Sequence, residues 1–299
     1  MTSILARVSL AALLFAAAAP ATARASDGKD ALDLVPDRAG SIVVLNAEHM
    51  RRSSLFGDLM TLVESSGGMR ADAQLLRDAG FDLRRDLQTV VLASQPDDPS
   101  TALLLVQGRI DSGKLFGRAV KRGGVRRTHR KQTYVEVSKG KLSIAELAGY
   151  LVIATSPRQL EAVIDVHLGA RKSARENRRL MSLVDKTDAS GDLWMVVGMD
   201  ARKRGGDDGA LHDLKTVTAS LDVVRGLRMQ VRLFAGSDQG ATDLASYLAQ
   251  LGEQSDDRPG LAGLLGKLAI KRSGRRVDAS MKLSASELDS LSRKLLAAN

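Results

Sequence analysis

The sequence predicts an α+β protein whose antiparallel sheets carry recurring strand-to-helix units, set out as two similar subdomains related by a distant duplication. Three observations predict it. Apolar residues switch repeatedly from alternate spacing to spacings of three and four, the mark of a strand that runs into an amphipathic helix. Turn signals separate neighbouring apolar runs, which makes hairpins and therefore antiparallel pairing. Helix starts also carry their own capping residues.

The strand-to-helix unit recurs along the chain. Ser41-Ile42-Val43-Val44-Leu45 leads into a helical spacing of Leu55, Phe56, Leu59, Met60 and Val63. Leu103-Leu104-Leu105-Val106 leads into Leu115, Phe116, Ala119 and Val120, and Leu151-Val152-Ile153-Ala154 into Leu160, Val163 and Ile164. Met229, Val231 and Leu233 precede Leu244, Tyr247, Leu248 and Leu251, while Val277, Ala279, Met281 and Leu283 precede Leu288, Leu291 and Leu295. Three hairpins fill the links. Residues 89–92 and 101–106 flank the turn Gln95-Pro96-Asp97-Asp98-Pro99-Ser100, residues 133–137 and 142–144 flank Lys139-Gly140, and residues 269–271 and 276–282 flank Ser273-Gly274. Ser156-Pro157-Arg158-Gln159 and Ser284-Ala285-Ser286-Glu287 both have capping-box spacing, and the first adds a proline at the first helical position.

The charged stretch from Ala170 to Arg179 is the expected seam, which gives subdomains over 26–169 and 170–299. A polar segment, Lys203-Arg204-Gly205-Gly206-Asp207-Asp208-Gly209, is expected as a loop within the second.

Residues 1–25 have the form of a secretory signal peptide. Arg7 precedes an apolar run over residues 8–19, Pro20 breaks it, and the small-x-small sites Ala21-Thr22-Ala23 and Ala23-Arg24-Ala25 follow, so cleavage is expected after Ala23 or Ala25. The run is about a dozen residues where a spanning helix needs ~20. A periplasmic or secreted product follows. The chain has no cysteine, so neither disulfides, a thiolate metal site, a catalytic thiol nor a lipoprotein anchor is expected. Aromatic residues make up 3% of the chain, too few to favour the stacking platforms that bind sugars or single-stranded nucleic acid.

The net charge is +9, and much of the excess is local. Eleven cations lie between Arg109 and Lys141, opposed only by Asp111 and Glu136. Lys121, Arg122, Arg126, Arg127, Arg130 and Lys131 are the candidate anion-binding residues within it, weighed against a solvated loop and hairpin face. An exported protein meets anionic lipid or polymer rather than nucleic acid.

No complete catalytic motif stands out. Gly108-Arg109-Ile110-Asp111-Ser112-Gly113-Lys114-Leu115 has phosphate-loop spacing up to its lysine, but Leu115 replaces the metal-binding hydroxyl. A helix cap at Asp111 or Ser112 accounts for the same residues. Residues 260–266 lack the spacing of a dinucleotide-binding loop, and Ser138-Lys139-Gly140-Lys141 falls in a turn rather than at a helix start. The four histidines, His49, His129, His167 and His212, show no ligand spacing, so neither metal nor cofactor is expected.

Leu34-Val35-Pro36-Asp37, the segment Ala79-Gly80-Phe81-Asp82-Leu83-Arg84-Arg85-Asp86-Leu87, and residues 151–165 resemble a family of bacterial exported α+β proteins to which no activity is assigned. The resemblance spans most of the mature chain and implies fold and location only. The expected function is that of a non-catalytic envelope or periplasmic protein that binds a partner or has a structural role. The alternatives are a binder of anionic envelope lipid or polymer through residues 118–131, and a hydrolase assembled from distant residues around His129, His167 or His212.

Overall fold

The computed structural model describes residues 28–53, 56–57, 80–95, 98–137, 140–198, 211–253, 266–288 and 290. The signal-peptide segment, the helix expected through Leu59, Met60 and Val63, the turn at Ser138-Lys139, the polar loop 203–209 and nearly all of 260–266 lie outside the described residues. The chain divides into two compact units, Met1–Arg52 with Phe56–Ser182 and Ser53–Leu55 with Leu183–Asn299. Each is mixed α+β with antiparallel pairing throughout its described ladders.

In the first unit a short 3₁₀ turn, Lys29–Asp33, precedes strand β1 (Ser41–Asn46) and the one-turn helix α1 (Ala47–Met50). A second short helix, α2 (Leu83–Asp86), leads directly into β2 (Leu87–Gln95), which turns back as β3 (Asp98–Gly108). Helix α3 (Ser112–Lys121) follows, then β4 (Val125–His129), β5 (Gln132–Val137), β6 (Leu142–Leu147), β7 (Tyr150–Ala154) and helix α4 (Pro157–His167). The strands lie in the order β1-β2-β3-β7-β6-β5-β4. Helix α5 (Arg178–Val184) carries the chain onward, its start capped by Asn177, whose side-chain oxygen accepts from the Leu180 N–H.

The second unit contains β8 (Leu193–Gly198), β9 (Leu214–Asp222), β10 (Leu227–Ala235), helix α6 (Asp238–Glu253), β11 (Ala269–Ser273) and β12 (Arg276–Leu283). Its strands lie in the order β8-β9-β10-β12-β11. Among the described elements this repeats the first five positions of the first unit. A strand and a hairpin come first (β1, β2-β3 against β8, β9-β10). A helix then crosses over (α3 against α6), and a final hairpin returns so that its second strand pairs with the third (β6-β7 against β11-β12). A capped helix start follows β7 and β12 alike. Among the described strands the surplus of the first unit is one hairpin, β4-β5.

Side chains opposite each other on paired strands share a face, and neighbours along a strand face opposite ways. Val135 of β5, paired with Ile144 of β6, packs against Ala119, Phe116 and Val120 of α3. The neighbouring Tyr134 points the other way, and its hydroxyl donates to Glu161 of α4 at 3.0 Å. Helices α3 and α4 therefore cover opposite faces, and Leu160, Val163 and Ile164 form the buried stripe of α4. In the second unit, Ala241 and Leu244 of α6 close over Leu214, Leu233, Ala235 and Val277.

The seam expected at 170 differs from the division near Ser182, and hydrogen bonding explains why. Pro36 bridges Ser173, the Ala174 N–H donates to the Val35 carbonyl at 2.7 Å, and Arg175 binds both Asp33 and the Lys29 carbonyl. A stretch that looks like a charged linker is thus stitched to the start of the first unit. The Ser284–Glu287 box forms as expected, with the Ser284 hydroxyl accepting from the Glu287 N–H and the Glu287 carboxylate from the Ser284 N–H. At α4 the Ser156 hydroxyl accepts from the Gln159 N–H, but Gln159 reaches one residue further back, to the N–H and hydroxyl of Thr155.

Candidate functional site

The basic segment is positioned by three elements. Lys121 ends α3 and Arg122 is its C-cap, where cations complement the helix dipole. Arg126 and Arg127 lie on β4, and Arg130 and Lys131 form the two-residue turn between β4 and β5, closed by the pair His129↔Gln132. The residues expected as a loop face therefore include a full strand, paired on one side only and outermost in its unit. Every β4 residue from Val125 to Thr128 is exposed, which removes the burial alternation that marks a strand in sequence.

The structure sorts the six candidates into two groups. Arg127 shares its face with Tyr134 and forms an ion pair with Glu136 at 3.3 Å, and Arg130 binds Asp165 of α4 at 2.7 Å. Arg126 stands opposite Val135, so it shares the face covered by α3 and lies on the same side as Lys121, Arg122 and Arg118. Among the described residues Lys121, Arg126 and Lys131 form no ion pair. One face of the hairpin is neutralised within the chain; the other presents cations outward.

Asp165 holds the neutralised face together. His129 Nε2 lies 2.8 Å from its carboxylate and Arg130 Nε 2.7 Å. The hydrogen bond from His129, then the Arg130 charge, hold the Asp165 carboxyl below the usual carboxylate range. Burial and the hydrogen bond to the Glu161 carboxylate push the Tyr134 hydroxyl up to about 12, so it stays a donor across the neutral range. His129 is thereby a tie between the hairpin and α4. His167 and His212 are exposed, and no histidine lines a cleft of about 320 Å³ that Val35, Ala93, Leu103 and Ala162 border in the first unit. Among the described residues no cluster of three metal-ligating side chains occurs.

The turn itself is strained. Arg130 and Lys131 have φ of 46° and 69°, left-handed values that tight hairpins normally assign to asparagine and glycine. Lys131→Gly is expected to stabilise the protein by about 0.5–1 kcal/mol, since glycine adopts this conformation freely. A urea midpoint that falls instead would contradict the assignment.

The phosphate-loop-like segment resolves into a helix cap. The Asp111 side chain accepts from the Lys114 N–H at 2.9 Å, and the Lys114 ammonium folds back onto the same carboxylate at 2.9 Å. A lysine so engaged is not poised over a phosphate.

No family model matches the chain, and no curated protein matches it. Among solved structures, crystal form III of TP0453 aligns with a TM-score of 0.54 at 12% identity, over 87% of this chain and 96% of that one. Crystal form I of TP0453 aligns with a TM-score of 0.52 at 11% identity, over 88% and 97%. The chain shares its fold with TP0453. At this identity the likeness to TP0453 concerns architecture, and the site has to be argued from its own residues.

Proposed function

We propose that this is a non-catalytic, exported protein of the cell envelope or periplasm that works by holding a partner, and that the surface it holds is anionic envelope lipid or polymer. One observation carries this reading. The basic residues sit on and beside the one hairpin that the second unit's described strands do not repeat. A surplus hairpin is unnecessary for completing the shared topology, and Lys121 and Arg126 on its α3 side form no ion pair among the described residues. Such a patch raises the local concentration of anions and their association rate. The signal-peptide spacing of residues 1–25 supports an exported address, where anionic lipids and polymers are found.

The test is co-sedimentation of the mature chain with phosphatidylglycerol-containing and pure phosphatidylcholine vesicles, with polyglutamate in place of vesicles as a parallel arm. Binding to the anionic vesicles is expected to weaken steeply between about 50 and 500 mM salt, as the screening length shortens. The triple variant Lys121→Ser, Arg122→Ser, Arg126→Ser is expected to bind about a hundredfold less tightly, from about 1 kcal/mol for each cation near an anionic surface. The charge-neutral double variant Arg127→Gln, Glu136→Gln is expected to stay within about twofold of wild type. Equal binding to neutral vesicles, or a flat salt response in both arms, would sink the proposal.

A further inference from the structure

A cleft of about 320 Å³ opens in the first unit, at the lower end of the range for small-molecule sites. Its rim holds three guanidinium groups from three separate places in the chain: Arg38 before β1, Arg158 in the first turn of α4, and Arg171 after that helix. Its floor includes the apolar Ala93 of β2, Leu103 of β3 and Ala162 of α4, with Gln95, Thr101 and Gln159 beside them. Ala93 and Leu103 are a cross-strand pair, so they share the face that α4 covers.

Among the described residues none of these three arginines forms an ion pair, and Asp37 is the acidic side chain lining the cleft. The rim is therefore net cationic. The backbone that carries two of the arginines is held firmly. The Asp37 N–H donates to the Lys172 carbonyl at 3.2 Å, the Asn177 amide donates to the Asp37 carbonyl at 2.8 Å, and Pro36 bridges Ser173. Arg38 and Arg171 consequently approach the cleft from adjacent, mutually tied segments. The start of α4 is already capped by Ser156, with Gln159 turned to Thr155, so the anion-attracting groups here are the guanidinium side chains. Guanidinium groups suit carboxylate and phosphate because their planar forks donate two parallel hydrogen bonds.

We propose that this cleft binds a small organic anion in which a phosphate or carboxylate group is joined to an apolar body, the anionic group held at the rim by Arg38, Arg158 and Arg171 and the apolar body lying on the Ala93, Leu103 and Ala162 floor. The site is separate from the basic hairpin and stands or falls independently of it.

Isothermal titration of the mature chain with phenyl phosphate tests it, with inorganic phosphate and phenol as the two partial probes. Phenyl phosphate is expected to bind saturably at a single site, inorganic phosphate at least about tenfold more weakly, and phenol not measurably. Arg158→Ala and Arg171→Ala are each expected to weaken phenyl phosphate binding about tenfold, the usual size of a lost charge-assisted contact. Both side chains are exposed, so the variants fold. Ala162→Leu, which fills the floor, is expected to bring phenyl phosphate down to the affinity of inorganic phosphate. The triple variant at Lys121, Arg122 and Arg126 is expected to bind phenyl phosphate as wild type does. Absence of saturable binding, equal affinity for phosphate and phenyl phosphate, insensitivity to the two arginine variants, or loss in the triple variant would each overturn the proposal.

Discussion

Gly108→Ala is expected to lower stability by about 3 kcal/mol, through forced overpacking against an unyielding neighbour. A Cβ at this position would stand 2.2 Å from the Asp86 carbonyl oxygen and 3.0 Å from the Leu87 Cα. Neither atom can move away cheaply. The same carbonyl accepts the Arg109 N–H at 2.7 Å, and Gly108 is in register with Leu87 at the end of the β2-β3 ladder. Asp86 is itself buried, with its carboxylate accepting from the Asp82 N–H at 2.7 Å and from Arg85 at 3.1 Å. The glycine thus exists for a close backbone approach, in the very segment whose spacing imitates a phosphate loop. Urea denaturation followed by circular dichroism measures the effect. An unchanged midpoint would show that the β2-β3 end is not packed this way.

Trp194→Ala is expected to cost about 4 kcal/mol, the range for removing a large buried aromatic residue. Trp194 lies on β8 with 1% exposure and is the single tryptophan of the chain. It stands opposite Ser220 of β9, a small buried partner that leaves the indole to fill the space itself. Trp194→Phe keeps much of the ring volume and is expected to cost under about 2 kcal/mol. Both variants remove the intrinsic fluorophore, so circular dichroism is again the probe. A loss below about 1 kcal/mol for Trp194→Ala would mean that this strand contributes little to the second unit's core.

The strand-to-helix units and hairpins were legible because their side chains obey a simple rule, apolar inward on a strand and apolar along one stripe of a helix. Strand β12 and helices α3, α4 and α6 follow it, β2 and β7 are apolar runs buried on both faces, and β11, with no buried residue, was marked by the turn at Ser273-Gly274. Three strands escaped, β4, β8 and β9, two of them for opposite physical reasons. On β9 the inward residues include Thr216, Thr218 and Ser220, so the buried face looks polar in sequence. On β4 the residues from Val125 to Thr128 are all exposed, so there is no buried face to detect. The turn at Ala148-Gly149, with φ of 50° and 80°, closes β6 onto β7 without the asparagine that usually announces it.

The candidate site was legible as charge and illegible as geometry. Counting cations found the segment, but only pairing separates Arg127 and Arg130, answered by Glu136 and Asp165, from Lys121 and Arg126. The period-two alternation of β4 would have divided Arg126 from Arg127 had the strand been recognised. The arginine-rimmed cleft had no sequence signature at all. Arg38 lies far along the chain from Arg158 and Arg171, which flank α4, and the stitching of residues 172–177 to 29–39 is what gathers them.

The surplus hairpin of the first unit has an evolutionary corollary. Because β4-β5 hangs on the outside of β6, it can be shortened, recharged or lost without altering the register of any strand between β1 and β7. Selection can therefore retune what the hairpin touches while the inner ladder is inherited unchanged. Descendants of one ancestor would then be expected to differ most in the length and charge of this appendage, and least in the five-strand plan that the chain already contains twice.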